Sequence, residues 1–434
     1  MHLLLKNIQI IHGPASAPAK ADILVRKGVI EAIGENLPAT SDVRVWEQAG
    51  ACVSPGWIDV GVQTGDPGYE HREDLESATQ AAAAGGFTAL ASFPNTQPAI
   101  HSKSEVLYLQ NKTVGSLVHI HPIGAVSVAC EGKDLAELYD MHAAGAVAFS
   151  DGSNAIQDAG LMLRALQYAR AFNGLVMNMP YHKSVASGGQ MHEGVTSTML
   201  GLKGTPALSE ELMIQRDLSL MRYAESRLHL HLISTAKGVD LVRAAKKDGL
   251  PVTCSVAIAN LCFTDQVLTG LLPSPLNGPG EAFDSAWKVR PPLRESSDVE
   301  ALLEGLADGT IDFICSNHTP WDEEAKNLEF PYAEFGMIGM ETLFALCRTF
   351  LHRHLSLQQV VEKIALAPRR ILGLPVPTIE VGAAASLTVF APDQTFLLTE
   401  KTLASKSRNT PLLHQPLTGK VLGIVNHEKT NLVV

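Results

Sequence analysis

Short apolar runs alternate with amphipathic stretches through the middle of the chain. The runs fall at Trp57–Val62, Thr88–Phe93, Leu117–Ile123, Ala146–Phe149, Leu175–Met179, Leu228–Leu232, Val252–Val256 and Phe313–Ser316. Their length and β-branched content predict strands. Between most of them, apolar positions recur at helical spacing over Asp74–Ala84, Asp134–Ala144, Leu161–Phe172, Ser209–Ser226, Val239–Lys247 and Val299–Ala307. Eight strands alternating with helices predict an α/β fold, a (β/α)8 barrel; a doubly wound sheet usually has fewer strands and often a Gly-rich phosphate loop after the first. Two-residue alternation at Leu3–Ile11 and Ile23–Ile33, and β-prone composition at Ala385–Phe390 and Gly419–Val425, predict strands at both ends. Each end alone has too few strands to bury a sheet face, so the two are expected to share one β domain, 1–53 plus 376–434, flanking a barrel over 54–375. The Pro- and Gly-rich stretch Leu272–Ser297, between strands seven and eight, is expected to be an active-site loop.

Composition narrows the class. Of 434 residues, 46% are hydrophobic and 18% charged, too apolar for a disordered chain. The formal charge of −11, with no basic block, argues against nucleic-acid binding. No apolar run reaches the roughly 18 residues of a membrane span, and Met1–Lys6 lacks a signal-peptide layout. The six cysteines are scattered without a Cys-x-x-Cys pair and read as reduced, inert thiols of a cytoplasmic protein.

Pro55-Gly56-Trp57-Ile58-Asp59, Asp66-Pro67-Gly68, His71-Arg72-Glu73-Asp74 and Ala81–Thr88 resemble the first βα unit of the dihydroorotases, cyclic amidases of the amidohydrolase superfamily, of the type associated with aspartate transcarbamoylase. The likeness runs on through Pro94-Asn95-Thr96, Ala148–Asp151, Gly188–Met191, Arg216-Asp217, Ser234-Thr235-Ala236, Pro291–Arg294, Gly309–Asp312, Gly336–Glu341 and Ser405–Pro411. It implies a metal-dependent (β/α)8 barrel with a small β-sandwich domain from both termini. In active relatives zinc acidifies a bound water and polarises the amide, while a carboxylate moves the proton.

At the positions where that resemblance implies zinc ligands and the base, this chain departs from the pattern. Gly61 and Gln63 stand where the first strand of the family has His-x-His, Met179 and Leu232 replace histidines of strands five and six, and Asn317 replaces the terminal Asp. Asp151 matches the bridging carboxylate of strand four. One carboxylate does not hold catalytic zinc, and an amide cannot serve as base near neutral pH. No metal or cofactor is therefore expected. The substrate contacts implied by the family are also altered: Asn95 is retained, Gly65 replaces a carboxylate-binding Arg, Trp321 replaces a His, Arg290 stands where an Asn is expected, and Arg290 and His318 are candidate substrate contacts.

Further expectations concern the remnant. Met179, Leu232 and Trp321 are expected to pack over the former metal position, and Asp151 to pair with Arg290 or His318. Gln63, Asp151 and Asn317 offer too few carboxylates for Mg²⁺ or Ca²⁺. His229 and His231 are expected to face the helix layer, by alternation from Leu232. His119 and His121 are expected to be packing residues. The resulting expectation is a dihydroorotase-like protein without hydrolytic activity, an oligomer that acts as structural or regulatory partner of aspartate transcarbamoylase. The alternatives are a cyclic amidase with a rebuilt site, converting L-dihydroorotate and water to N-carbamoyl-L-aspartate, and a metabolite sensor.

Overall fold

The computed structural model describes residues 1–14, 19–271 and 281–432. Eight strands pair in chain order to form one parallel sheet: Trp57–Val62, Phe87–Ser92, His119–Gly124, Ala148–Phe149, Leu175–Asn178, Arg227–Leu230, Val252–Ala257 and Phe313–Cys315. Beyond the eighth strand, Ser316 N donates to Asp59 Oδ1 at 3.0 Å and Gln63 N to His318 O at 3.1 Å, so the sheet closes almost fully on its first strand.

Alternation sorts the strand residues into two layers. Ile58, Val60, Ala89, Ala91, Ile123, Leu175, Met177 and Phe313 fill the barrel, whereas Leu90, Val176, Leu228, Leu230 and Val252 pack with the surrounding helices. Strand registers match this division, with Ala89 opposite Ile58 on one side and His119 on the other. Burial of each large apolar side chain is worth about 1.5–3 kcal/mol, which fixes the register because a slip of one residue would exchange the two faces.

The helix Leu75–Ala84 begins at a capping box: Asp74 Oδ1 accepts from Ser77 N at 2.8 Å and Ser77 Oγ from Asp74 N at 3.0 Å. The helix Lys103–Lys112, between strands two and three, was not among the sequence-based elements. Its signal was the same motif: Glu105 Oε2 accepts from Ser102 N at 2.9 Å.

A second sheet takes strands from both ends of the chain, in the order Lys429–Thr430, Pro416–Asn426, Ser386–Leu397, Cys52–Pro55, His2–Ile10, Ala19–Arg26 and Val29–Gly34. Leu3, Leu5, Val25, Val53, Val389 and Val425 form its core. The single strand expected over Ile23–Ile33 is a hairpin, broken where Lys27 and Gly28 take positive φ. Of the expected loop Leu272–Ser297, residues 272–280 lie outside the described residues; the remainder contains a turn of 3-10 helix, Ser285–Trp287, and the start of the helix Ser296–Ala307. Among the described residues no helix is long and apolar enough to cross a membrane.

Candidate functional site at the barrel mouth

The carboxyl ends of the barrel strands surround a cleft of two adjoining chambers, about 510 and about 700 Å³. Gln63, Asn95, Met179, Leu232, Asn317 and Trp321 line the smaller one, Asp151 lines the larger, and Arg290 and Phe335 border both.

Gln63 lines the smaller chamber, but no side chain enters from the positions on either side of it, Gly61 and Gly65. At Gly61, φ is +82°, and an added Cβ would lie 2.7 Å from His231 Cε1 and 2.9 Å from Phe93 Cζ. At Gly65, φ is +70°, and a Cβ would strike the Glu73 carbonyl and stand 2.9 Å from Tyr69 O. Both backbones occupy the left-handed region that glycine tolerates.

His231 fills the space beside Gly61. This overturns the expectation that His229 and His231 face the helices. Leu228 and Leu230 face that layer, while both imidazoles are buried inside the barrel. His229 stacks on Phe313 at 4.8 Å and His231 meets Phe93 edge-on at 5.1 Å. The parity failed because the strand ends at Leu230 and Leu232 has φ +60°, so alternation does not extend to Leu232. Ser255 Oγ lies 3.1 Å from His229 Nε2 and 3.0 Å from His231 Nδ1. Burial depresses the pKa of His231 to about 3 and that of His229 well below the usual range, so both are neutral at physiological pH.

Asp151 is also differently partnered from expectation. Ser127 donates to it from its backbone N, at 2.8 Å, and from Oγ. Burial raises the carboxyl's pKa while these bonds oppose the rise. Neither Arg290 nor His318 pairs with it. His318 Nδ1 accepts from Gly339 N at 3.2 Å, which leaves the proton on Nε2, 3.5 Å from Glu73 Oε2. Glu73, fully buried, also accepts from Ser77, Ser405 and Lys406 N. Burial works to raise its pKa, but His318, Ser405 and Ser77 hold it below the ordinary value. His318 is therefore a structural tie and does not line the cleft.

The remaining positions hold the rim. Asn95 donates to Asp151 O at 3.0 Å and accepts from Ser153 N at 3.0 Å, so its amide is committed to the loop after strand four. Asn317, with φ +55°, donates from Nδ2 to Arg290 O at 3.0 Å. Met179 and Leu232 join Phe93 in the apolar cluster of the barrel. Trp321 is not in that cluster; its ring N–H donates to Phe335 O at 3.0 Å and Arg72 lies over its ring at 3.8 Å. The positions where the family resemblance implies ligands are thus partly filled, but a cleft stays open above them. His119 packs edge-on against His427 at 5.4 Å, and burial depresses His121 to about 4.

Zinc does not fit these residues. Glycine has no donor, Met179 and Leu232 present apolar surface, and Asp151 alone supplies a carboxylate at these positions. Among the described residues, no three His, Cys, Asp or Glu side chains converge on a point that could hold a metal.

Several motif residues instead bind the scaffold together. Ser234 and Thr235 donate from their backbone nitrogens to Glu210, at 2.8 and 2.9 Å, a carboxylate buried beside Arg294. Asp217 ties Asn178 Nδ2 at 2.7 Å to Arg216. Sequence reasoning missed Ser127, Tyr69, Tyr181 and Phe335, which no spacing marks and only the fold brings to the mouth.

This architecture, a parallel eight-stranded barrel with a sheet drawn from both chain ends, is that of the amidohydrolases. L-Hydantoinase (dihydropyrimidinase) from Arthrobacter aurescens superposes with a TM-score of 0.84 over 100% of this chain and 98% of its own, at 23% identity. D-Hydantoinase (dihydropyrimidinase) from Thermus sp. gives 0.80 over 99% and 96%, at 21% identity. The dihydro-orotase-like family model matches residues 50–238. The dihydroorotase of Pelotomaculum thermopropionicum is 41% identical over 421 residues, 96% of each chain, and that of Acetivibrio thermocellus 37% over 422 residues, again 96% of each. The chain belongs to the dihydroorotase family.

Proposed function

We propose that this chain is a dihydroorotase-family protein that binds no catalytic zinc and does not hydrolyse cyclic amides, and that it serves de novo pyrimidine synthesis as a structural or regulatory partner of aspartate transcarbamoylase. The reading rests on one observation: His231 occupies the space beside Gly61 that an imidazole ligand at position 61 would need. The rest of the donor set agrees with it, since Asn317 cannot exchange a proton near neutral pH and Asp151 is held by Ser127. The partner is inferred from the family type the sequence resembles.

The test is metal analysis together with an assay for carbamoyl aspartate formation, followed by mixing with aspartate transcarbamoylase from the same organism. Substoichiometric zinc, no turnover and co-migration with the transcarbamoylase are expected. Turnover with stoichiometric zinc would overturn the catalytic part, and failure to co-migrate or to alter transcarbamoylase assembly would overturn the partner.

A second reading, an active dihydroorotase with a rebuilt site, is favoured by the names of the relatives, which are dihydroorotases at 37–41% identity across nearly the full length. It predicts turnover abolished by Asp151→Ala.

A further inference from the structure

The segment 322–336, which follows the eighth strand, has its backbone held from within. Lys288 Nζ donates to Phe330 O at 2.7 Å and Ala333 O at 2.6 Å, and Lys326 Nζ to Glu334 O at 2.8 Å and Gly336 O at 3.0 Å. Glu329 O accepts from Tyr332 N at 2.8 Å and Ala333 N at 3.1 Å, which closes a turn across the middle. Both lysines are buried, as are Phe330 and Ala333, so the segment has an inner face fixed to the protein. Its outer face is apolar at the centre. Leu328 is 47% exposed and Tyr332 75%, and among the described residues no ring or hydrogen-bonding group engages the Tyr332 side chain. Phe283 is exposed on the neighbouring segment, which Ser285 Oγ joins to Lys326 O. Exposed apolar side chains scattered singly need no account, but these stand on a backbone that two buried cations immobilise.

Within this segment every exposed charged residue is an acid: Glu323, Glu324, Glu329 and Glu334. Among the described residues none of these carboxylates has a hydrogen bond or an ion pair. The cations nearby are already engaged. Lys288 and Lys326 spend their N–H groups on carbonyls, Arg72 lies over the Trp321 ring, His71 stands 3.4 Å from Asp322, and Arg408 gives Nη1 to Ser405 O and Ser407 O. They offset part of the negative field but leave the four carboxylates without partners. Beside Glu323 a hollow of about 270 Å³ opens, with Trp321, Asp322 and Arg408 in its walls.

We infer that the outer face of this segment docks a basic segment of another polypeptide, its apolar side chains on Leu328 and Tyr332 and its lysine or arginine groups among the four glutamates. The apolar pair supplies the anchor, while the charges steer the encounter and select the partner. A backbone fixed before binding loses little freedom on association. The same carboxylates repel nucleic acid and anionic lipid, which leaves a basic protein surface as the fitting occupant. The inference rests on the reading of this chain as a partner protein and names the face that serves it.

Short fluorescein-labelled peptides serve as probes of the full chain, read by anisotropy: one of lysine and leucine, one with glutamate in place of each lysine, and one with serine in place of each leucine. The lysine–leucine peptide is expected to bind, more weakly as salt rises, and the other two to bind little. Affinity is expected to fall about tenfold in Leu328→Ser/Tyr332→Ser and severalfold in Glu323→Gln/Glu324→Gln/Glu329→Gln. It is expected to hold in Val114→Ser, which alters an exposed apolar residue at the opposite end of the barrel. No binding to the wild type, or equal binding to Leu328→Ser/Tyr332→Ser, would overturn the inference. Each variant's melting temperature shows whether it is folded. The assay with aspartate transcarbamoylase is separate. A transcarbamoylase that does not co-migrate removes the partner of the functional reading and leaves the peptide result to decide the face. Co-migration unchanged in Leu328→Ser/Tyr332→Ser would overturn the face and leave that partner standing.

Discussion

His231 stands beside Gly61 so closely that position 61 has no room for a side chain while the imidazole is there: a Cβ at 61 would lie 2.7 Å from His231 Cε1, with backbone φ at +82°. Gly61→His alone should therefore lower stability by more than about 2 kcal/mol, from overpacking and left-handed strain together. Adding His231→Ala should recover part of the loss, because the two substitutions share one space. Urea unfolding of both singles and the double variant reads the coupling, and strict additivity would refute the shared-space account.

Ser127 satisfies Asp151. Ser127→Ala removes one donor from a buried carboxylate and should cost about 1–3 kcal/mol. Asp151→Asn keeps an acceptor for Ser127 N and an amide facing Ser127 Oγ, so it should cost less than Ser127→Ala. Denaturant midpoints of the two variants decide the order.

Lys288, 2% exposed, donates to Phe330 O at 2.7 Å, Ala333 O at 2.6 Å and Pro331 O at 3.2 Å, and so ties down the segment that carries Phe335 to the mouth. Lys288→Met should orphan these carbonyls and destabilise by about 3 kcal/mol. A denaturant midpoint equal to that of the wild type would show that these bonds do not hold the segment.

Stability should fall in mild acid. Burial depresses His231 to about 3 and His121 and His192 to about 4, from 6.5. In this window the unfolded chain binds more protons than the folded one, so the stabilisation is present above pH 6.5 and is lost as pH falls toward 4. At pH 5 a shift of that size is worth about 2 kcal/mol for each histidine. Chemical unfolding at pH 7 and pH 5 measures the slope; His121→Gln should reduce it.

If no zinc binds the mouth, EDTA should leave the melting temperature unchanged. A chelator-induced fall that zinc restores would point to a metal site and to the active reading.

The sequence by itself determined the barrel, because eight strand patterns and six helical ones are local and alternate along the chain, and it determined the family, because runs such as Arg216-Asp217, Ser234-Thr235-Ala236 and Pro291–Arg294 are read directly. It also showed which ligand types are missing, since Gly61, Met179, Leu232 and Asn317 are read directly. Tertiary structure alone decided what took their place. His231 facing inward, Ser127 on Asp151, Glu73 on His318 and two rings against Arg290 join residues separated by tens to hundreds of positions. Such pairings leave no periodic trace, and at Leu232 a single left-handed residue was enough to break the alternation from which side-chain direction is read.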